Sequence, residues 1–487
     1  MAESYQVIVI GGGVAGLAAA ALAARRGLRP LVLEQGEAPG GACATVARER
    51  YRFDAGAGLL WGFEEGGGAR RVLEEVGAPV ESLPLDPGFQ VALPRYRIGF
   101  HRNDERFWRE VRREFPDGHG AVRAFYAEVQ ALDAALRGLD LGPHDLPPRT
   151  PWHRFQHWRR RSKEEADVQA RAKEPLADQE TWRALPPEMR RALGLILRHL
   201  GHADVATPLL PAATILGFTR GGFSALRGGL GTLAAALARA VERHGGAVRT
   251  RARVAEVVLR GRRAAGARMA DGTVLEAPAI VAAVAPAVLG DFLGAERGRA
   301  FPEGLPAPET AALTLYLGVD GAILPSEMGS HVLLGLDEAL EPGGIETLSV
   351  NVSPPWDGGR APQGRRALTV TALLPLDGGL PPGTDWVRVG EAVLTALEDF
   401  IPGLRGRMDH CEFRTPAAWQ EQNGRPHGAA GYAQGSLPTF LGWQGFPHAT
   451  PIGGLFVAGD WTFPGCGVAA VLEGARRAAD LVPTSCR

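Results

Sequence analysis

One short stretch constrains this chain more than any other. Tyr5 to Ile10 is largely apolar and β-branched, as a buried parallel strand must be, and it runs straight into Gly11-Gly12-Gly13-Val14-Ala15-Gly16. Behind the glycines, Ala18 to Arg26 predicts an alanine-rich helix and Gly27 stands where its C-cap belongs. Pro30 to Leu33 predicts a second strand ending in Glu34. The spacing has a physical reason. Gly11 permits a tight turn, Gly13 lets the backbone approach a pyrophosphate, and Gly16 lets helix and strand pack closely. The helix N-terminus offers N–H groups and the positive dipole end to phosphates. A carboxylate at Glu34, with Gln35 beside it, can accept both hydroxyls of a ribose. Strand, glycine turn, helix, strand and acid in this order predict a dinucleotide site on an α/β fold. The bland alternative is a glycine-rich turn without a ligand.

Composition narrows the rest. At about 100–200 residues per domain, 487 residues allow two to four lobes. A 45% hydrophobic, 22% charged chain excludes long disorder, and a net charge of -1 supplies no basic field for nucleic acid. Cys43, Cys411, Cys466 and Cys486 form no C-x-x-C pair, which argues against a disulfide scaffold, a zinc site or an iron–sulfur cluster, and no metal is expected. Of 53 basic residues only Lys163 and Lys173 are lysine. The opening residues lack a secretory layout, and no apolar run reaches the ~18–20 residues that span a bilayer. The expectation is a soluble cytoplasmic chain. Peripheral membrane contact stays open because Trp152 to Arg161, WHRFQHWRRR, sets aromatics at three-residue spacing beside arginines. An exposed helix whose aromatics pack on the protein is the alternative.

Three further segments carry a resemblance. After Glu34 come Pro39-Gly40-Gly41-Ala42-Cys43-Ala44-Thr45 and Phe53-Asp54-Ala55-Gly56-Ala57-Gly58-Leu59. Near the C-terminus, Gly454 to Asp480 reads GLFVAGDWTFPGCGVAAVLEGARRAAD. Together these resemble the glutathione-reductase-like FAD enzymes of the amine oxidase and phytoene desaturase superfamily. FDAGAGLLWGF and GDWTFPGCGV are similar to the carotenoid isomerase and phytoene desaturase branch, and Arg220 to Leu233 resembles its mid-chain glycine motif. The resemblance implies FAD as cofactor. Gly40, Gly41, Gly56, Ala57 and Leu59 would run beside it, Val254 would hold the adenine, and Gly459 and Asp460 would meet the ribityl or phosphate. The helix opening at Gly467 and Val468 would face the flavin pyrimidine edge. One departure stands out: where the family usually has a basic residue after the glycine pair, this chain has Ala42.

The fold expected is a discontinuous Rossmann-like FAD domain of the glutathione-reductase type, from residues 1–63, 216–300 and 441–487. A substrate domain of mixed sheet and helices would use residues 64–215 and 301–440. Its strands are read at Ala312–Val319, His331–Gly335, Thr347–Val352 and Ala367–Leu374, with a helix from Glu391. The stretch 64–215 is read as largely helical, with a membrane-facing part around 100–215. The activity implied is that of an FAD-dependent oxidoreductase on a long apolar polyene or lipid, either desaturase or isomerase, with a small apolar molecule as partner and no nucleic acid. Two alternatives stay open: a flavin amine oxidase-like enzyme, and a non-redox prenyl-protein binding module of the same fold. Many amine oxidases hold a lysine beside the flavin, and both lysines here lie in the charged segment KEEADVQARAK. No nucleophilic triad is defensible, since Ser436, His427 and Asp409 read as loop or surface residues. His427, with Arg425 and Pro426, and Cys466 are candidates for the substrate entrance or the flavin face.

Overall fold

The computed structural model describes residues 4–56, 58–137, 174–201, 205–298, 305–341, 344–376, 383–432, 439–440 and 443–482, together with the single positions 147, 155, 159, 163, 166 and 170. The glycine motif sits between β1 (Val7–Ile10) and α1 (Val14–Arg25), and β2 (Pro30–Leu33) follows. Later segments add α2 (Gly231–Arg243), β3 (Ala247–Arg249), β4 (Ala279–Ala282), β5 (Leu455–Val457) and α3 (Val468–Leu481). The strands form one parallel sheet in the order β5-β4-β1-β2-β3. The ends of the chain therefore meet in one sheet.

Both faces of this sheet are covered, which is why its strands carry apolar side chains without alternation. Val7 and Val9 pack with α1, α2 and α3, while Ile8 and Ile10 pack with the antiparallel strands of residues 254–276 and the helix Pro286–Gly298. A hairpin turning at Asp271-Gly272 joins Arg263–Met269 to Val274–Glu276. The helix Gly68–Glu75 also enters the first of these cores through Ala69, Val72 and Leu73.

A second, mixed sheet stands beside the first. Its order is Met408–Arg414, Pro308–Asp320, Arg365–Pro375, Ile345–Val352, His331–Leu340, Phe89–Leu93, Tyr96–Phe100. One face carries Leu313, Leu315, Leu348, Val350, Leu368 and Val370 against the helix Trp386–Phe400. The alternate residues Ala312, Thr314, Ser349, Asn351, Thr371 and Leu373 face a large cavity. The stretch 64–215 is not purely helical, because it supplies the edge hairpin Phe89–Leu93 and Tyr96–Phe100. All five residues of Phe89–Leu93 are buried, so no polar alternation marked the strand. Helices Asp104–Glu114, His119–Arg137, Pro187–Gly201 and Leu209–Gly221 do fill most of the remainder described.

The partly buried Asp54 carboxylate stitches the segments together. Its Oδ1 accepts from the Leu230 N–H at 2.8 Å, and its Oδ2 pairs with Arg360 Nη1 at 3.0 Å. Of Trp152 to Arg161, only Phe155 and Arg159 are among the described residues; both are helical and exposed. The rest of that stretch, Ser436, Ala57 and Cys486 lie outside them. No helix of the described residues is long and apolar enough to cross a membrane.

Candidate functional site

Between the two sheets runs a cavity of about 760 Å³. The α1 N-terminus opens on it. Gly13 is the N-cap, no side chain caps the helix, and Gly11, Gly13, Val14 and Ala15 line the wall. A Cβ on Gly13 would touch nothing within 4 Å, because the residue faces open space. Gly16 lies behind this wall and serves packing: a Cβ there would sit 2.0 Å from the Gly11 carbonyl oxygen. Glu34 ends β2 at the cavity edge. Its carboxylate is locked by two backbone donors, Gly12 N–H to Oε2 and Gly36 N–H to Oε1, each at 2.7 Å. Gln35, Gly40 and Gly41 continue the rim.

The C-terminal signature reaches the same cavity. Gly459, Asp460, Cys466, Gly467 and Val468 line it, and the α3 N-terminus at Gly467 again has no side-chain cap. Two uncapped helix ends thus aim free N–H groups and positive dipole ends into one space, which suits an anionic dinucleotide. Gly56, Leu59 and Val254 complete the set predicted from sequence, whereas His427 does not join it. That side chain is exposed, at the outer side of a turn where its φ is 57° and its N–H donates to Gln420. Its neighbour Arg425 faces inward instead. Arg425 Nη1 donates to Asp460 Oδ2 at 2.8 Å. Burial works against the guanidinium charge, but the Asp460 carboxylate and Tyr432 outweigh it and hold Arg425 protonated.

Neither cavity cysteine is a nucleophile. Burial pushes the thiols of Cys43 and Cys466 up to about 12, so both stay neutral. Cys466 Sγ donates to the Leu200 carbonyl at 3.4 Å. Asp409 is spent on Tyr51, Arg50 and Arg365.

Several lining residues escaped the sequence reading. Thr314, Thr371 and Ser349 stand directly opposite one another on adjacent strands and form a row of hydroxyls on the cavity floor. Trp419 lines the cavity above them and donates from Nε1 to Thr314 Oγ1 at 3.2 Å, while Thr371 Oγ1 has no partner among the described residues. Asn351 Oδ1 accepts from His331 Nδ1 at 2.5 Å. The available signal was Ser349 and Asn351, and Thr369 and Thr371, recurring every second position in otherwise apolar strands.

Parallel sheet, paired anion-seeking helix ends and ribose-side carboxylate define an FAD-dependent oxidoreductase. The chain belongs to the family described as flavin containing amine oxidoreductase, which it matches over residues 14–483. It is 27% identical to the chloroplastic prolycopene isomerase of Arabidopsis thaliana over 494 residues, covering 96% of this chain and 80% of that one. It is 26% identical to the neurosporene-forming phytoene desaturase of Cereibacter sphaeroides over 531 residues, covering 100% of this chain and 96% of that one. Among solved structures, an oxidoreductase from Methanosarcina mazei superposes with a TM-score of 0.62 at 18% identity, covering 96% and 98% of the two chains, and shows the shared fold.

Proposed function

We propose that the chain is a carotenoid desaturase or isomerase acting on a long apolar polyene. One observation carries this reading: the cavity is continuous from the nucleotide cradle to a wall built by Leu59, Trp61, Leu200, Ala312, Leu373 and Trp419. The names of the relatives point to the same substrate class. Bound FAD supplies hydride exchange with a carbon–carbon bond, the chemistry that no side chain here offers.

The chain's own residues bind, orient and exclude water. Gly11, Gly13 and the α1 N-terminus hold the diphosphate. Glu34 and Gln35 take the adenosine ribose, and Val254 packs on the adenine. Gly40, Gly41, Gly56 and Leu59 present backbone along the cofactor, while Gly459, Asp460 and the α3 N-terminus at Gly467 and Val468 meet its flavin half. In this reading residues 1–63, 216–300 and 441–487 form the cofactor domain, and residues 64–215 and 301–440 the substrate domain. The apolar wall holds the polyene and keeps the reacting carbons dry. Among the described residues no lysine lines the cavity to hold a water as in an amine oxidase, and Lys163 is exposed on a helix.

Anaerobic incubation of oxidised and of reduced enzyme with candidate polyenes, followed by product separation, tests the proposal. Bleaching of the oxidised flavin with formation of a new double bond marks a desaturase. Geometric isomers formed only by reduced enzyme mark an isomerase. No reaction with any polyene would overturn the substrate class.

A further inference from the structure

The cavity has an uneven charge balance. Its described lining residues include three carboxylates, Glu34, Glu37 and Asp460, but only one arginine or lysine, Arg425. Glu34 is met by backbone amides, and Glu37 pairs outward with Arg251 at 2.8 Å. FAD brings a diphosphate into this space. Two helix N-termini offer partial positive charge, and Arg425 alone offers a full one.

Arg425 comes from the opposite lobe. It sits on a strap made of the helix Pro416–Asn423 and the turn that follows. Thr415 caps this helix, donor Ala418 N–H to Oγ1 at 3.3 Å, and Gly424 ends it in the left-handed region at φ 70°. The Asn423 side chain then accepts from the Arg425 N–H at 3.0 Å, which fixes where the arginine leaves the turn. The strap crosses the cavity mouth. At one side Gln35 Nε2 donates to the Gln422 carbonyl at 3.4 Å, and at the other Arg425 reaches Asp460. Arg425 Nη1 makes both protein hydrogen bonds of this side chain, to Asp460 and, at 3.4 Å, to the Ala429 carbonyl. Its Nε and Nη2 have no acceptor among the described residues. A guanidinium held in place by one edge leaves the other for a ligand of opposite charge and matching geometry.

We propose that Arg425 is the cation that binds the FAD diphosphate, delivered across the cavity by the strap and aimed by Asp460. This inference rests on the cofactor and is independent of the polyene reading. It also assigns a source for the positive charge that Ala42 does not provide.

The test is FAD titration of flavin-stripped protein, followed by flavin fluorescence. R425A and R425Q should weaken FAD binding about 10- to 100-fold, as expected when a charge-assisted hydrogen bond is lost, with R425K between them and wild type. Riboflavin, which lacks phosphates, should bind wild type and R425Q alike. H427A, at the exposed neighbour, should bind FAD as wild type does. Wild-type affinity should fall as salt rises, and that of R425Q should fall less. Should R425A fail to fold, R425K and the salt dependence of wild type still decide. Unchanged FAD affinity in R425Q, an equal loss for riboflavin and FAD, or a salt-independent wild-type affinity would each overturn the proposal.

Discussion

Asp54 and Arg425 are both charged residues drawn out of water, and they solve that problem differently. Asp54 is fully satisfied within the protein by the Leu230 amide, the Thr45 hydroxyl and Arg360. Removing one partner of such a buried pair leaves an uncompensated charge, so Arg360→Met should cost about 3–5 kcal/mol in urea unfolding. Adding Asp54→Asn should recover part of that loss, which a double-mutant cycle reads directly. Arg425 is satisfied on one edge only, which is why it points to a ligand and Asp54 does not. Asp54 belongs to the F-D-x-G stretch that carries the family resemblance, and its task is to join the segment after β2 to the turn before α2.

At the scale of elements, the glycine turn and the helices were legible because their reasons are local. β2 and α3 fall where the apolar runs and flanking glycines placed them. The cavity floor was not legible in this way. Thr314, Thr371 and Ser349 lie on three strands far apart in sequence, and only register brings their hydroxyls into one row. Thr371 carries the clearest consequence. A buried hydroxyl without a partner is unfavourable, so Thr371→Val should leave the flavin-stripped protein as stable as wild type or more stable, by up to about 1 kcal/mol. Thermal melts of the flavin-stripped variant and wild type, run side by side, check this.

For the whole molecule, the packing of two lobes around one cavity buries titratable groups that have no place in the cradle. Burial lowers the His331 pKa from 6.5 to about 4, against the opposing hydrogen bond to Asn351. An unfolded histidine takes up its proton near pH 6.5, whereas folded His331 resists until about pH 4. Between those values the unfolded chain binds more protons, so stability declines as pH falls through that window. His331→Gln should flatten the dependence of melting temperature on pH there and leave it unaltered above neutrality. An unchanged slope would mean that other groups govern acid unfolding.

The sequence by itself determined the cofactor end of this protein. Phosphate recognition by a helix N-terminus needs a strand, three glycines, a helix and an acid within some thirty residues, and so short a unit is written contiguously. It also located the strands Ala312–Val319, His331–Gly335, Thr347–Val352 and Ala367–Leu374 that make up much of the second sheet. What only the tertiary structure decided is which residues share the cavity. Arg425 and His427 are two positions apart in one turn, yet the first faces Asp460 and the second faces solvent. That choice follows from the left-handed conformations at Gly424 and His427 and from where the strap lands on the opposite lobe, neither of which a linear motif contains.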